Sequence, residues 1–203
     1  MKNTFTKNHI RESIEILNKL DAKCIDNIVS TLAQIRSNSG RVFFLGVGGS
    51  AANASHAVND FRKIIGIEAY APTDNVSELT ARTNDEGWSE IFIEWLKTSK
   101  LGSKDIIFIF SVGGGNLKNN ISVNLIKAIQ FAKKRKSDVL SIVGKPNGYA
   151  AKNSDVSVVI PVKNQKLLTP FSEAYQAVIW HLLVSHPDLK ETETKWESVI
   201  EKK

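Results

Sequence analysis

A chain of 203 residues, 42% of them hydrophobic, can bury one core, and we expect a single domain over 1–203. Its net charge of +6 comes from basic residues interleaved with acidic ones, so no nucleic-acid partner is expected. The single cysteine, Cys24, excludes an internal disulfide and a cysteine-cluster metal site, and no apolar run is long enough to span a membrane. A cytoplasmic protein with no membrane partner is predicted.

Two helices are predicted before the first strand. Apolar residues recur at helical spacing over 10–20 and 25–35, for example at Ile14 and Leu17. An α/β domain rarely needs a leading pair of helices. Residues 1–38 are therefore predicted to build a subunit interface, the alternative being that they only cap the core.

The most informative stretch is 41–65, RVFFLGVGGSAANASHAVNDFRKII. Its apolar start, 41–47, predicts a buried strand, and the glycines at 46, 48 and 49 allow the backbone to turn sharply. Ser50 then stands where the N-cap of a helix is expected. Such a turn directs free N–H groups and the positive end of a helix dipole at a ligand, which favours an anion such as phosphate. The alternative is that the glycines serve only the geometry of the turn.

Strand and helix patterns alternate through the rest of the chain. Strands are predicted at 68–71, 105–110, 139–143 and 156–162, and helices at 76–83, 89–96, 121–134 and from after Pro170 through Val184, followed by a polar helical tail over 187–203. This alternation predicts an α/β fold: a three-layer, doubly wound, mostly parallel five-stranded sheet within 39–186, preceded by the two helices. Ligands of such sheets bind at the carboxyl ends of the strands.

A second glycine-rich turn, SVGGGN, follows the strand at 105–110. In a parallel sheet both glycine turns emerge at the same edge, which strengthens the prediction of an anion site. Ser111 can donate its hydroxyl, and the glycines at 113–115 leave their amides exposed. Ser122, at the start of the next helix, is predicted as an N-cap or as a further hydroxyl donor to the anion.

Four ionisable side chains are predicted to face the site from two helices. His56 and Asp60 are four residues apart and share a helix face, and Glu173 and His181, eight residues apart, do so on the last helix. Such a set can move a proton between neighbouring carbons of a sugar, or it can coordinate zinc. The alternative for His56 and Asp60 is a surface contact, and Trp180 is expected in the core.

With these residues the chain resembles the sugar isomerase (SIS) domain family, and within it the sedoheptulose 7-phosphate isomerases, over nearly its whole length. The family's first turn, G-N-G-G-S followed by H-x-x-x-E, is similar to 46–50 with His56 and Asp60. Its Asn-Asp pair resembles Asn84 and Asp85. Its phosphate loop, S-T-S-G-N-S, resembles 111–115 with Ser122 if an insertion at 116–120 is allowed, and its closing Gln and His match the spacing of Glu173 and His181.

The chain departs from the family's pattern at four positions. It has Val47 for Asn, Asp60 for Glu, Gly113 for Ser and Glu173 for Gln. A second alignment matches Glu173 to the Glu that follows the family's Gln, and it puts Trp180 at the catalytic His. We prefer the first alignment because it preserves the polar pair and its spacing.

The resemblance implies an aldose–ketose isomerase that converts sedoheptulose 7-phosphate to D-glycero-D-manno-heptose 7-phosphate through an enediol, as a homotetramer. It implies Asp60 as the base and His181 as the acid. The implied substrate-binding residues are Val47, Gly48, Gly49, Ser50, Asn84, Asp85, Ser111, Gly113, Ser122 and Glu173. The implied zinc ligands are His56, Asp60, Glu173 and His181. The alternative, favoured by the changes at Val47, Gly113 and Asp60, is a phosphosugar-binding or protein-binding module without catalysis.

Overall fold

The computed structural model describes residues 2–192, with side chains from residue 4 onward. Five parallel strands form one sheet in the order β2-β1-β3-β4-β5. The strands are β1 (Val42–Leu45), β2 (Ala69–Tyr70), β3 (Ile106–Ser111), β4 (Asp138–Val143) and β5 (Val156–Val159). The helices are α1 (Lys2–Leu17), α2 (Ala22–Ser37), α3 (Gly49–Ile64), α4 (Val76–Asp85), α5 (Ile91–Thr98), α6 (Val123–Lys134), α7 (Tyr149–Asn153) and α8 (Leu168–Ser185). The predicted fold class is confirmed.

Alternation along the strands divides the core between the two faces of the sheet. Phe44, Phe108 and Phe110 point to the side covered by α2, α3 and α8. Phe43 and Ile107 point to the side covered by α5 and α6. The sheet is thus the middle of three layers, and its strands read as continuous apolar runs because both faces are buried.

The strand order reverses between β1 and β3. The helix that follows β1 therefore lies on one face of the sheet, and the helix that follows β3 lies on the other face. In an open α/β sheet this is where a crevice forms at the carboxyl ends. The two glycine-rich turns follow β1 and β3 directly. The topology therefore brings both turns to the crevice.

A buried carboxylate joins the opposite ends of the same two strands. Asp105 is 5% exposed and accepts hydrogen bonds from the Arg41 guanidinium at 2.8 Å and from the Gly102 amide at 2.9 Å. The hydrogen bond to Asp105 holds the pKa of Arg41 above its usual value. This ion pair stabilises the pairing of β1 with β3 below the crevice.

Several predicted boundaries are wrong by a few residues. Strand β2 is shorter than predicted, and β5 ends at Val159 because Pro161 cannot donate to the ladder. Helix α8 begins at Leu168, before Pro170, since a proline in the first turn loses no helical hydrogen bond. The short helix α7 was not predicted.

The polar tail does not continue as a helix where the structure describes it. Residues 187–189 form a turn and 190–192 are not helical, and 193–203 lie outside the described residues. Leu189 is fully buried, and Arg36 of α2 donates to the carbonyl oxygens of Asp188 and Leu189. These contacts pack the chain after α8 against α2, where a continuing helix was predicted. Within 2–192 no helix combines the length and apolarity needed to cross a membrane.

Candidate active site

The first glycine turn is tight and begins α3 two residues earlier than predicted. A Cβ at Gly46 would lie 2.4 Å from the Ser50 carbonyl oxygen, and Gly48 has a φ of 64°. Gly48 is the N-cap, so Ser50 lies inside α3 and its predicted capping role is wrong. The buried Ser50 hydroxyl instead accepts a hydrogen bond from the side-chain amide of Gln176 on α8 at 3.1 Å. Val47, within the turn, is partly buried and packs against the apolar cluster on the α5 and α6 side of the sheet.

Glu173 brings a carboxylate to the start of α3. A Cβ added at Gly49 would lie 2.5 Å from the carboxyl carbon of Glu173, so the two residues are in contact. Asn53 donates both to the Glu173 carbonyl oxygen at 2.9 Å and to the Gln176 side chain at 2.8 Å. A carboxylate is favourable at the positive end of a helix dipole. Glu173 therefore occupies part of the space that the sequence assigned to a ligand's negative charge.

The second glycine turn is held by main-chain hydrogen bonds. The Ser111 hydroxyl accepts from the Gly114 amide at 3.0 Å. The amides of Tyr149 and Ala150, at the start of α7, donate to the carbonyl oxygens of Gly115 and Gly114 at 3.0 and 2.8 Å. Gly113 is open, because a Cβ there would meet no atom within 4 Å. The prediction that the amides at 113–115 are exposed is therefore wrong for Gly114, whose amide is bonded to Ser111, and the open part of the turn is at Gly113.

The insertion at 116–120 closes on itself before α6. Asn116 and Ile121 exchange two backbone hydrogen bonds of 2.9 and 3.0 Å. Ser122 then adopts a left-handed conformation, with φ 49° and ψ 45°, and makes no side-chain capping bond. Ser122 is thus the N-cap of α6, as predicted, but its side chain does not accept from the first amides of the helix. Its hydroxyl is left for other partners.

Asn84 and Asp85 form their hydrogen bond with each other and not with the glycine turns. They are the last two residues of α4, both are exposed, and the Asn84 amide donates to the Asp85 carboxylate at 2.8 Å. Within the described chain no hydrogen bond joins them to either glycine turn. Their predicted place in the substrate pocket stays a prediction.

A compact cluster of ionisable groups lies between α3 and α8. The Asp60 Oδ2 atom is 3.6 Å from His56 Nε2 and 3.5 Å from His181 Nε2. The Asp60 side chain is 10% exposed, whereas those of His56 and His181 are 57% and 46% exposed. The structure thus brings together three of the four predicted ionisable residues, with the carboxylate beneath two accessible imidazoles.

Glu173 is not a member of this cluster. Among the described residues, the group whose ligand atoms lie within 4.8 Å of one another is His56, Asp60 and His181. Glu173 instead contacts Gly49, about two helical turns before His56. The spacing of eight residues puts Glu173 and His181 on one face of α8, but at opposite ends of that face.

The hydrogen bond of His181 fixes which of its nitrogens faces Asp60. Its Nδ1 lies 2.9 Å from the Ala177 carbonyl oxygen, which can only accept, so Nδ1 carries a proton. A neutral ring then directs the Nε2 lone pair toward a carboxylate oxygen, and the two repel unless a proton or metal ion lies between them. Two imidazole nitrogens and one carboxylate oxygen form a zinc-binding set that leaves a position open. The residues fit zinc.

Two contributors to the site were missed from the sequence, and a third, Trp180, was placed at the site only by the second alignment. Gln176 and Asn53 link the two helices, and the Trp180 indole donates to Asp60 Oδ2 at 3.1 Å. Gln176 is a polar residue one turn after Glu173 in a largely apolar helix, which was a usable signal. Trp180 was assigned to the core, and it is indeed 2% exposed, but its N–H faces the cluster.

The fold and the site define a doubly wound α/β protein with paired glycine turns at its ligand-binding edge. The chain belongs to the SIS domain family, whose model matches residues 7–144. It is 27% identical over 191 residues to the phosphoheptose isomerase of Aneurinibacillus thermoaerophilus, covering 89% of this chain and 91% of that protein. It is 31% identical over 159 residues to the phosphoheptose isomerase of Chlorobaculum tepidum, covering 75% of this chain and 71% of that protein.

A solved structure, that of phosphoheptose isomerase from Neisseria gonorrhoeae, has the same fold. It superimposes with a TM-score of 0.79 at 23% identity, over 91% of this chain and 97% of that one. The similarity includes the sheet and the helices that flank it.

Proposed function

We propose that this chain is an aldose–ketose isomerase that converts sedoheptulose 7-phosphate to D-glycero-D-manno-heptose 7-phosphate. The observation that carries the proposal is the approach of Asp60 Oδ2 and His181 Nε2 to 3.5 Å. A carboxylate and an imidazole together supply the base and the acid that isomerisation needs. The relatives named phosphoheptose isomerase support the same assignment.

The distance along α3 supports a long sugar phosphate as substrate. Ser50 lies beside the glycine turns, and His56 and Asp60 follow it by six and ten residues. At a rise of 1.5 Å per residue these are separations of about 9 and 15 Å along the helix axis. A ligand whose phosphate binds at Ser111, Gly113 and Ser122 must be extended if its first carbons are to reach the cluster. A heptose phosphate comes closer to these separations than a triose phosphate does, which favours the longer substrate.

In the proposed reaction, Asp60 takes the proton from C1 of the ketose while the imidazolium of His181 gives a proton to the C2 carbonyl oxygen. The C1–H bond breaks and the double bond of an enediol forms between C1 and C2. Asp60 then returns the proton to C2. His181 recovers a proton from the C1 hydroxyl, whose oxygen becomes the aldehyde carbonyl. Atoms and electrons balance without a co-reactant.

Zinc is the proposed cofactor, held by His56, Asp60 and His181. When bound it would polarise the substrate's carbonyl oxygen, the task that the His181 imidazolium performs without it. The three donor atoms within 4.8 Å of one another support this assignment. The single cysteine, Cys24, supports a cytoplasmic location, since the chain cannot form an internal disulfide.

The proposed activity is tested by proton exchange. Purified protein is incubated in deuterated water with sedoheptulose 7-phosphate and, separately, with dihydroxyacetone phosphate, and NMR follows deuterium in the products. We expect deuterium at C2 of an aldoheptose phosphate and none in the triose, because the shorter substrate cannot bridge the phosphate turns and the cluster. Exchange with neither substrate would contradict the proposal.

A non-catalytic phosphosugar-binding module is the second candidate. The absence of a hydroxyl at Gly113 and the buried Trp180 beside Asp60 favour it. It predicts that sedoheptulose 7-phosphate binds without exchange of its protons. Calorimetry with the same protein preparation therefore separates the two functions.

A homotetramer built through the N-terminal helices is also proposed. Ile10, Ile14 and Leu17 lie along one side of α1 and are 55%, 53% and 48% exposed. Val178 and Leu182 of α8 are 42% and 41% exposed. Exposed apolar stripes of this kind favour contact with another protein surface, and the resemblance to tetrameric isomerases supports a second copy as that surface.

Ile14→Glu should dissociate the tetramer, because a charge at the centre of the α1 stripe cannot be buried unpaired. Light scattering coupled to gel filtration should then give a smaller species than the wild type. Glu12→Gln, a change on the side of α1 that faces the chain's own Asn164, should leave the assembly intact. An unchanged assembly in Ile14→Glu would exclude this stripe as the interface.

A further inference from the structure

The carboxylate of Asp60 is held on both sides by hydrogen-bond donors. Asn59 donates to Oδ1 at 3.0 Å, and the indole nitrogen of Trp180 donates to Oδ2 at 3.1 Å. The indole N–H donates but cannot accept or bind a metal ion. Trp180 therefore acts on the Asp60 carboxylate by orienting it and not as a metal ligand.

The indole itself cannot move freely. Its ring is 2% exposed and stacks on Phe110 of β3 at a centroid distance of 6.0 Å with an interplanar angle of 16°. It also makes ring contacts with the imidazoles of His56 at 5.3 Å and His181 at 4.9 Å. One side chain anchored in the core thus touches all three members of the cluster.

We infer that Trp180 is a positioning residue, which fixes Asp60 Oδ2 between the two imidazoles and so preorganises the cluster for a divalent cation. The inference rests on the proposed use of His56, Asp60 and His181 as metal ligands. It concerns a residue that the preferred sequence alignment assigned to the core alone.

The physical reason is the rotational freedom of a carboxylate. The N–H bond from Trp180 occupies one lone pair of Oδ2 and leaves the other directed at the imidazoles. Without that bond, Asp60 would have to be oriented when the ion binds, and the ordering would reduce the affinity. Removing an outer hydrogen-bond partner of a metal ligand typically weakens metal binding about 10- to 100-fold.

The test compares Trp180→Phe with Trp95→Phe as matched control. Phenylalanine keeps an aromatic ring against Phe110 but lacks the N–H donor. Trp95 packs against Phe43 on the other face of the sheet, at a centroid distance of 5.5 Å. Co²⁺ is the probe, since its visible absorption reports the geometry of the ligands, and thermal unfolding of the metal-free proteins reports whether each variant folds.

We expect Trp180→Phe to bind Co²⁺ about 10- to 100-fold more weakly than the wild type and to change its visible spectrum. Trp95→Phe should match the wild type in both. A structural role alone would lower the unfolding temperature and leave the affinity and spectrum of the folded protein unchanged, which would overturn the inference. A wild type that binds no Co²⁺ or Zn²⁺ would overturn the metal assignment and this inference together, whereas binding that ignores Trp180→Phe would overturn the inference alone.

A measurement on the wild type covers the case in which Trp180→Phe does not fold. The indole N–H resonance of Trp180 should shift when Zn²⁺ is added, because the ion draws electron density from the oxygen that accepts its hydrogen bond. The indole resonance of Trp95 should not move. A Trp180 resonance that is unchanged by saturating Zn²⁺ would also overturn the inference.

Discussion

Asp60→Asn should slow isomerisation of the heptose phosphate by about 10²- to 10⁴-fold, the range that a positioned general base contributes. The amide has nearly the shape of the carboxylate, and its oxygen can still accept from Trp180, but it cannot take the proton from C1. The substrate's phosphate is proposed to bind at the glycine turns, so its dissociation constant should change little. The rate constant kcat and the dissociation constant Kd, measured on the same preparation, separate these effects.

A matched control is available close by. Asp74 is an exposed carboxylate that accepts a hydrogen bond from Ser55 of α3. Asp74→Asn makes the same chemical change at a residue that contacts α3 from outside the cluster, and it should leave kcat unchanged. Full activity in Asp60→Asn, or an equal loss in Asp74→Asn, would remove Asp60 from the role of base.

Phe44→Ala should lower the free energy of unfolding by about 3–5 kcal/mol, the usual cost of deleting a fully buried aromatic side chain. Phe44 has no exposed surface, and its ring packs at centroid distances of 4.8, 5.3 and 5.4 Å from Phe61, Phe108 and Phe110. These four rings join β1 and β3 to α3. Neighbours fixed in two strands and a helix cannot collapse into the cavity.

Urea unfolding followed by far-UV circular dichroism measures this loss. Phe44→Leu serves as the graded comparison and should lose clearly less, because leucine refills part of the volume. An alanine variant no less stable than the leucine variant would mean that the ring cluster does not hold the centre of the sheet together.

The sheet could be predicted from the sequence because its signals are local. Apolar runs such as 105–110 are too short for helices and are followed within three residues by glycine, and their alternation with helical patterns leaves few topologies. The pairing of His56 with Asp60 is likewise local, since four residues on a helix fix their relation. The contact of His181 with this pair depends on how α3 packs on α8. The eight-residue spacing on α8 nevertheless predicts His181 as a site residue.

The contributions that the sequence did not reveal come from tertiary contacts. The helical spacing that predicts a place in the site for His181 predicts one for Glu173 as well, yet Glu173 contacts Gly49. The reason is that α3 and α8 run side by side in the same direction, so residues far apart on α8 contact different turns of α3. The hydrogen bond of Trp180 is equally invisible to a hydrophobicity pattern, since a tryptophan that fills a core and one that also orients a carboxylate have the same periodicity. The capping error at Ser50 arose from Gly48, whose positive φ starts the helix early.

The second glycine turn has a consequence for how relatives of this protein are recognised. Its shape is fixed by the amides of Tyr149, Ala150 and Gly114, and its open tip at Gly113 presents main chain rather than side chain. A loop that binds through amides can exchange serine for glycine and lose a hydroxyl without losing its donors, because every residue except proline carries one. A sequence pattern that requires serines in such a loop will therefore miss some proteins of the family. A comparison of backbone conformation will find them.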